Sequence, residues 1–182
     1  QATEQPDSCQ AKTDAESNLG NTSLIGIYLN IQSIINASNN IIDGLHSANT
    51  TAINSGVVGI YISSNAASTI SNNQIFHLRN EATGSSPILI GLHHNGTLST
   101  VSNNMISISN SSNTNGVKIF GIRLAGFAGS RNIYHNSVSV SGTSANALNS
   151  YALYKENNNS NTDILKNNIF SNVRAGSGNH FA

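Results

Sequence analysis

Catalysis needs acids, bases or nucleophiles gathered at one place, and this 182-residue chain is sparing with all three. Charged residues make up 9% of it, with 8 Lys+Arg, 8 Asp+Glu and 6 His. Hydrolysis of a sugar chain would call for two neighbouring carboxylates, one to donate a proton and one to activate water or attack. Between residues 22 and 182 there are four acids, Asp43, Glu81, Glu156 and Asp163, well separated along the sequence. A metal centre would call for clustered His, Cys, Asp or Glu. His93-His94 is the most tempting cluster, with His77 and His135 elsewhere. Adjacent residues of a strand face opposite ways, so this pair is badly placed to hold one ion. No metal ligand, cofactor or catalytic residue is assigned. Cys9 is the single cysteine, which excludes an internal disulfide. The Gly-x-Ser-x-Gly elbow of a serine nucleophile and the Gly-Gly-x-Gly-x-Asp calcium repeat do not occur.

Composition narrows the partners. A net charge of +0 argues against nucleic acid, which calls for a basic face. The same balance argues against polybasic attachment to a membrane. No apolar run approaches the roughly 18 residues of a spanning helix, so membrane insertion is not expected either. Asn and Ser together supply about a third of the chain, a polarity that could signal disorder. Against that, 37% of the residues are hydrophobic, and their positions are regular.

Two signatures alternate down the chain. The first is an apolar residue, a small residue and then apolar positions two apart: Ile25-Gly26-Ile27-Tyr28-Leu29, Val58-Gly59-Ile60-Tyr61-Ile62, Ile90-Gly91-Leu92-His93-His94, Phe120-Gly121-Ile122-Arg123-Leu124 and a degenerate Tyr151-Ala152-Leu153-Tyr154-Lys155. The second ends on an asparagine, at Asn40, Asn73, Asn104, Asn136 and Asn168. Both recur every 30 to 33 residues. Three residues before that asparagine stand Ala37, Ile70, Val101, Ile133 and Leu165; two after it stand Ile42, Ile75, Ile106, Val138 and Phe170. All ten are apolar in a polar chain, so the repeat is real.

A spacing of two is the period of a strand with one buried face. No segment has the length and 3.6-residue period of a helical solenoid. Each unit offers three short strands, too few to bury a core alone. Stacking units about 4.8 Å apart would pair equivalent strands in parallel and align equivalent side chains in columns. The expected fold is therefore all-β, a parallel β-helix of about five coils over residues 22 to 182, with residues 1 to 21 a polar leader or an incomplete preceding coil. The asparagines 40, 73, 104, 136 and 168 would form a ladder, their amides bonding from coil to coil at a bend that tolerates left-handed backbone. Gly176 to Ala182 reads as the start of a long loop, and neither end reads as a finished cap. More chain or a partner is expected to continue the stack, and the coils read as a fragment of a longer chain.

Three side-chain columns follow from strict alternation. Tyr28, Tyr61, His93, Arg123 and Tyr154 would point outward as a ridge of rings with one guanidinium. Such a ridge could stack sugar rings, or simply stiffen the sheet face. Leu24, Val57, Leu89, Ile119 and Ser150 would also point outward, as an apolar strip needing a cover. His94 falls in an inward column and is expected at a strand edge beside a turn. Asp163 and Arg131 share an offset, which suggests a surface ion pair of little energetic weight.

The pattern Gly-Ile-x-Ile … Ile-Ser-Asn-Asn-x-Ile resembles the right-handed parallel β-helix superfamily typified by pectate lyases. In style it is closest to Asn/Ser-rich β-helical regions of secreted Bacteroidota surface proteins. The resemblance implies a right-handed, single-stranded solenoid in a secreted or cell-surface protein. It also implies that lyases of this architecture would use a basic residue with calcium-binding acids, and hydrolases clustered Asp residues. The four acids here fall at four different offsets of the repeat, which does not match either pattern. The expected function is therefore a non-enzymatic structural or adhesive segment: a stalk, fibre or surface-displayed passenger. A carbohydrate-binding or polysaccharide-degrading module using the aromatic ridge is the alternative, and a self-assembling filament subunit the second. Partners would be glycans, other surface proteins, or further coils of this chain or of a second copy.

Overall fold

The structure is a computed structural model that describes residues 14–15, 23–31, 33–48, 50, 56–82, 86, 88–109, 116–126, 129–144, 147–156 and 162–182. Cys9 and much of the leader lie outside the described residues. All regular structure among them is strand, and all strand pairing is parallel. No helix is present there, hence none long and apolar enough to cross a membrane.

Each unit contributes one strand to each of three sheets. The first sheet stacks Ser23–Asn30, Gly56–Ser64, Ile88–Gly96, Lys118–Ala125, Ser150–Lys155 and His180–Phe181 in sequence order. The second stacks Ile35–Ser38, Ser68–Ser71, Ser99–Ser102, Ser130–Tyr134 and Thr162–Lys166. The third stacks Ile41–Asp43, Gln74–Phe76, Met105–Ser109, Ser137–Ser141 and Ile169–Asn172. Register is unit on unit, as in Ile27↔Ile60↔Leu92↔Ile122↔Leu153. The chain is a parallel β-solenoid. The stack makes about four turns, against the five expected. Asp14–Ala15 pairs with His46–Ser47, and Ala175–Gly176 with Thr143–Ser144.

Gly176 to Ala182 does not start a long loop. His180 and Phe181 instead pair with Ser150 and Tyr151 and open a sixth strand of the first sheet. Phe181 stacks on the Tyr151 ring at 5.1 Å and 8°, a contact that a 30-residue step makes available.

The inside and outside of the first sheet differ from strict alternation. Val57, Leu89 and Ile119 are fully buried in the main core together with Ile60, Leu92 and Ile122, three residues further on. Val58, Ile90 and Phe120 form a separate cluster with Ile25, Tyr61, Ile88, Tyr151 and Tyr154, on the opposite face. The apolar strip from Leu24 to Ile119 is thus core, not an exposed patch. The phase slips by one at the glycine, where the ladder steps from Ile90↔Phe120 to Leu92↔Ile122. Close approach explains why glycine sits there. A Cβ on Gly59, Gly91 or Gly121 would lie 2.5–2.6 Å from the carbonyl oxygen of the next coil. Ala152 takes this position in Ser150–Lys155.

The asparagine pair divides two tasks. The left-handed backbone falls on the first member, Asn39, Asn72, Asn103, His135 and Asn167, with φ between 54° and 62°. The expectation had placed it on the second. Those first residues are exposed, and Asn and His are among the few side chains that accept this conformation. The turn they make aims the second residue inward.

There it builds the ladder. Oδ1 of Asn104 accepts from the backbone N–H and the Nδ2 of Asn73, at 3.1 and 2.8 Å. The Nδ2 of Asn104 donates to Ile70 O at 2.9 Å and to Asn136 Oδ1 at 2.9 Å. Its backbone N–H also goes to Asn136 Oδ1, and its carbonyl accepts from Ser137 N–H. The same bonds join Asn40 to Asn73 and Asn136 to Asn168. Each inner rung satisfies every polar group it buries, which is what allows an amide inside an apolar core.

Candidate functional site

The outer face of the first sheet carries the densest group of functional side chains. Tyr28, Tyr61, His93, Arg123 and Tyr154 pair in register there, one per coil. Tyr28 and Tyr61 stack at 5.0 Å and 19°, and His93 meets Tyr61 edge-on at 4.8 Å. Beside this ridge runs a second one, created by the phase slip. Phe120 stacks on Tyr151 at 5.4 Å and 6°, and Tyr154 packs against both, at 5.1 and 4.7 Å. Alternation alone hid this second ridge, because it placed Phe120 and Tyr151 inside.

Ring faces in these stacks turn toward the neighbouring coil, so the faces of the inner rings are already covered. Tyr28, 55% exposed, stands at the end of its stack. Arg123 reaches Glu156: its Nε donates at 2.7 Å, and its Nη2 contacts the same oxygen. Its guanidinium also lies 5.3 Å from the Phe120 centroid. Glu156, missed as its partner, lies one coil further on and is legible only once the register is known.

His93 and His94 face opposite ways, as adjacent strand residues should. Burial, the Arg123 charge and, opposing them, the Glu156 charge set the His93 pKa down to about 4. His94 is not at a strand edge. It lies within Ile88–Gly96, is 0% exposed, and stacks between Ile62 and Leu124. Neither of its ring nitrogens has a hydrogen-bond partner. Burial first, then the Arg131 and His93 charges, push its pKa down to about 4, with Asp163 opposing.

Arg131 and Asp163 are also not a surface pair. Arg131 is 1% exposed, because its column continues the inward positions Ile35, Ser68 and Ser99. It donates Nε and Nη2 to the two Asp163 oxygens at 2.8 and 3.0 Å, and Nη1 to Ala125 O at 2.7 Å. Lys155 Nζ adds a third contact to Asp163 at 3.0 Å. Burial would raise the Asp163 pKa, but hydrogen bonds and charges from Arg131 and Lys155 outweigh it and hold the carboxyl below its usual value.

The other two acids of the coils are paired as well: Asp43 with His77 at 2.7 Å, and Glu81 with Arg79 at 2.8 Å and His46 at 3.1 Å. The four acids thus sit beside four separate sets of basic side chains. Among the described residues, no group of three His, Cys, Asp or Glu is placed to hold a metal ion. No protein-family model matches the chain, and comparison with curated proteins and with solved structures finds no match. What the geometry establishes is a parallel β-solenoid with an internal asparagine ladder and an aromatic outer face.

Proposed function

We propose that this chain is a non-catalytic structural or adhesive segment of a secreted or cell-surface protein, built in the style of the pectate-lyase-like β-helices without their chemistry. One observation carries the reading: each coil acid is engaged by a basic side chain of its own, so no carboxylate pair stands ready as acid and base. The buried amides support it too, since they are used in holding coil to coil. A scaffold needs the stiffness that such coil-to-coil bonds give.

The exposed ring of Tyr28 favours a second reading, glycan binding along the aromatic ridge, with Tyr28 and Tyr61 as the sugar contacts. A filament subunit is less favoured. His180 and Phe181 already pair on Ser150 and Tyr151, so a second copy would not meet a whole free first-sheet strand there. Incubation of the chain with a panel of neutral and acidic polysaccharides, read for both binding and product, tests these readings. The scaffold reading expects no product at any protein concentration. Protein-dependent depolymerisation would overturn it, and binding lost in Tyr28→Ala and Tyr61→Ala would favour the glycan reading.

A further inference from the structure

The last coil departs from the apolar core at one corner. The column of Val57, Leu89 and Ile119 ends in Ser150, which is fully buried. The column of Ile108 and Val140 ends in Asn172. His180 pairs in register above Ser150. Asn172 Nδ2 donates to Ser150 O at 3.0 Å, Ser150 Oγ meets His180 Nδ1 at 2.8 Å, and Asn172 Oδ1 accepts from the Arg174 backbone N–H at 3.3 Å. A hydrophobic corner has become a connected polar one.

Arg174, whose backbone N–H ties it to this corner through Asn172, has its side chain 4% exposed and donates Nη1 to Val117 O at 2.7 Å. Among the described residues, its Nε and Nη2 are buried without a hydrogen-bond partner, as is Nε2 of His180. A guanidinium stays protonated in proteins, so a full positive charge is held here. The four coil acids are engaged elsewhere, and among the described residues none forms an ion pair with Arg174. An unpaired buried charge is costly, and burial pushes this guanidinium's pKa downward. Free Nε–H and Nη2–H form the edge of the fork that binds two oxygens of one carboxylate or phosphate in parallel.

We propose that this corner of the last coil is an oxyanion site, in which the Nε–Nη2 edge of Arg174 holds a carboxylate or phosphate-type group and His180 supplies a further donor. The site is independent of the aromatic ridge and of the scaffold reading. Calorimetric titration of the chain with inorganic phosphate and with acetate, at constant ionic strength, tests it. Saturable binding of either anion is expected, weakened about tenfold or more in Arg174→Gln and less in His180→Gln, as suits a bidentate and a single contact. Tighter binding of acetate would mark a carboxylate ligand, and tighter binding of phosphate a phosphate-type one. Absence of saturable binding by both anions, or identical curves in Arg174→Gln, would overturn the proposal. Should Arg174→Gln fail to fold, the Nε–H resonance of Arg174 in the unaltered chain decides. It shifts saturably with the bound anion if the site exists, and stays in place if it does not.

Discussion

Replacing Asn104 by alanine deletes one inner rung, and the structure says which groups are stranded. Oδ1 of Asn104 is the acceptor for both the backbone N–H and the Nδ2 of Asn73, a residue with no exposed surface. Two buried donors would be left unsatisfied, each costing about 1–3 kcal/mol. Asn136 Oδ1 would still accept from the backbone N–H of residue 104, so little is lost on that side. The expected destabilisation is about 4 kcal/mol, a large share of the roughly 5–15 kcal/mol that holds a domain together. Asn40→Ala is the internal control. Asn40 donates to Asn73 Oδ1, and that oxygen keeps its bond from the backbone N–H of residue 40 after truncation. No buried donor is stranded, and the loss is about 1 kcal/mol. Urea unfolding of both variants, fitted with a common m-value, measures the two costs. Equal losses, or a loss under about 1 kcal/mol for Asn104→Ala, would refute the directional ladder.

Three further outcomes follow from the same geometry. Gly91→Ala places a Cβ 2.6 Å from Gly121 O and 2.5 Å from Ile106 Cγ2, so a cost of about 3 kcal/mol is expected by chemical denaturation, against about 1 kcal/mol or less for Ala152→Gly. Burial first, then the charges of Arg131 and His93, with Asp163 opposing, hold the folded His94 pKa at about 4, below its ordinary value of 6.5. A depressed histidine stabilises above its unfolded pKa, so stability should fall as pH drops from 6.5 toward 4, with about 3 kcal/mol of that loss from His94, and His94→Leu should make the fall shallower, leaving the part due to His93. Asp163→Asn leaves buried Arg131 without its counter-charge, and equilibrium unfolding should show a loss of about 3–5 kcal/mol.

Much of the fold was legible because a solenoid writes its packing into one dimension. Ile70, Val101 and Ile133 share an offset from the asparagine, and they share a core column. The ladder was legible for the same reason, since Asn73, Asn104 and Asn136 recur at one position and bond in that order. What stayed hidden depends on local backbone geometry that a period of two does not encode. The slip at Gly59 and Gly91 exchanged the faces of two columns, so Val57 moved to the core and Phe120 to the ridge. The bend falls on Asn103 and not on Asn104, because the residue that turns the chain is not the one aimed inward. Arg131 was read as a surface cation because its residue type is usually exposed, although its offset matches buried Ile35. Of the site, the column Tyr28 to Tyr154 was legible by register. Its engagement with Glu156, Phe120 and Tyr151 was not, because those contacts cross between columns.

The account rests on the buried asparagine side chains being used in coil stacking. Hydrogen exchange of the side-chain amides, followed by nuclear magnetic resonance, tests this most directly. The Nδ2 protons of Asn73, Asn104 and Asn136 each have two acceptors inside the stack. They should exchange about a thousandfold or more slowly than free amides, as groups that open only with the surrounding coils. Exchange of these three at the rate of exposed Asn72 and Asn103 would contradict the ladder, and with it the scaffold built on it.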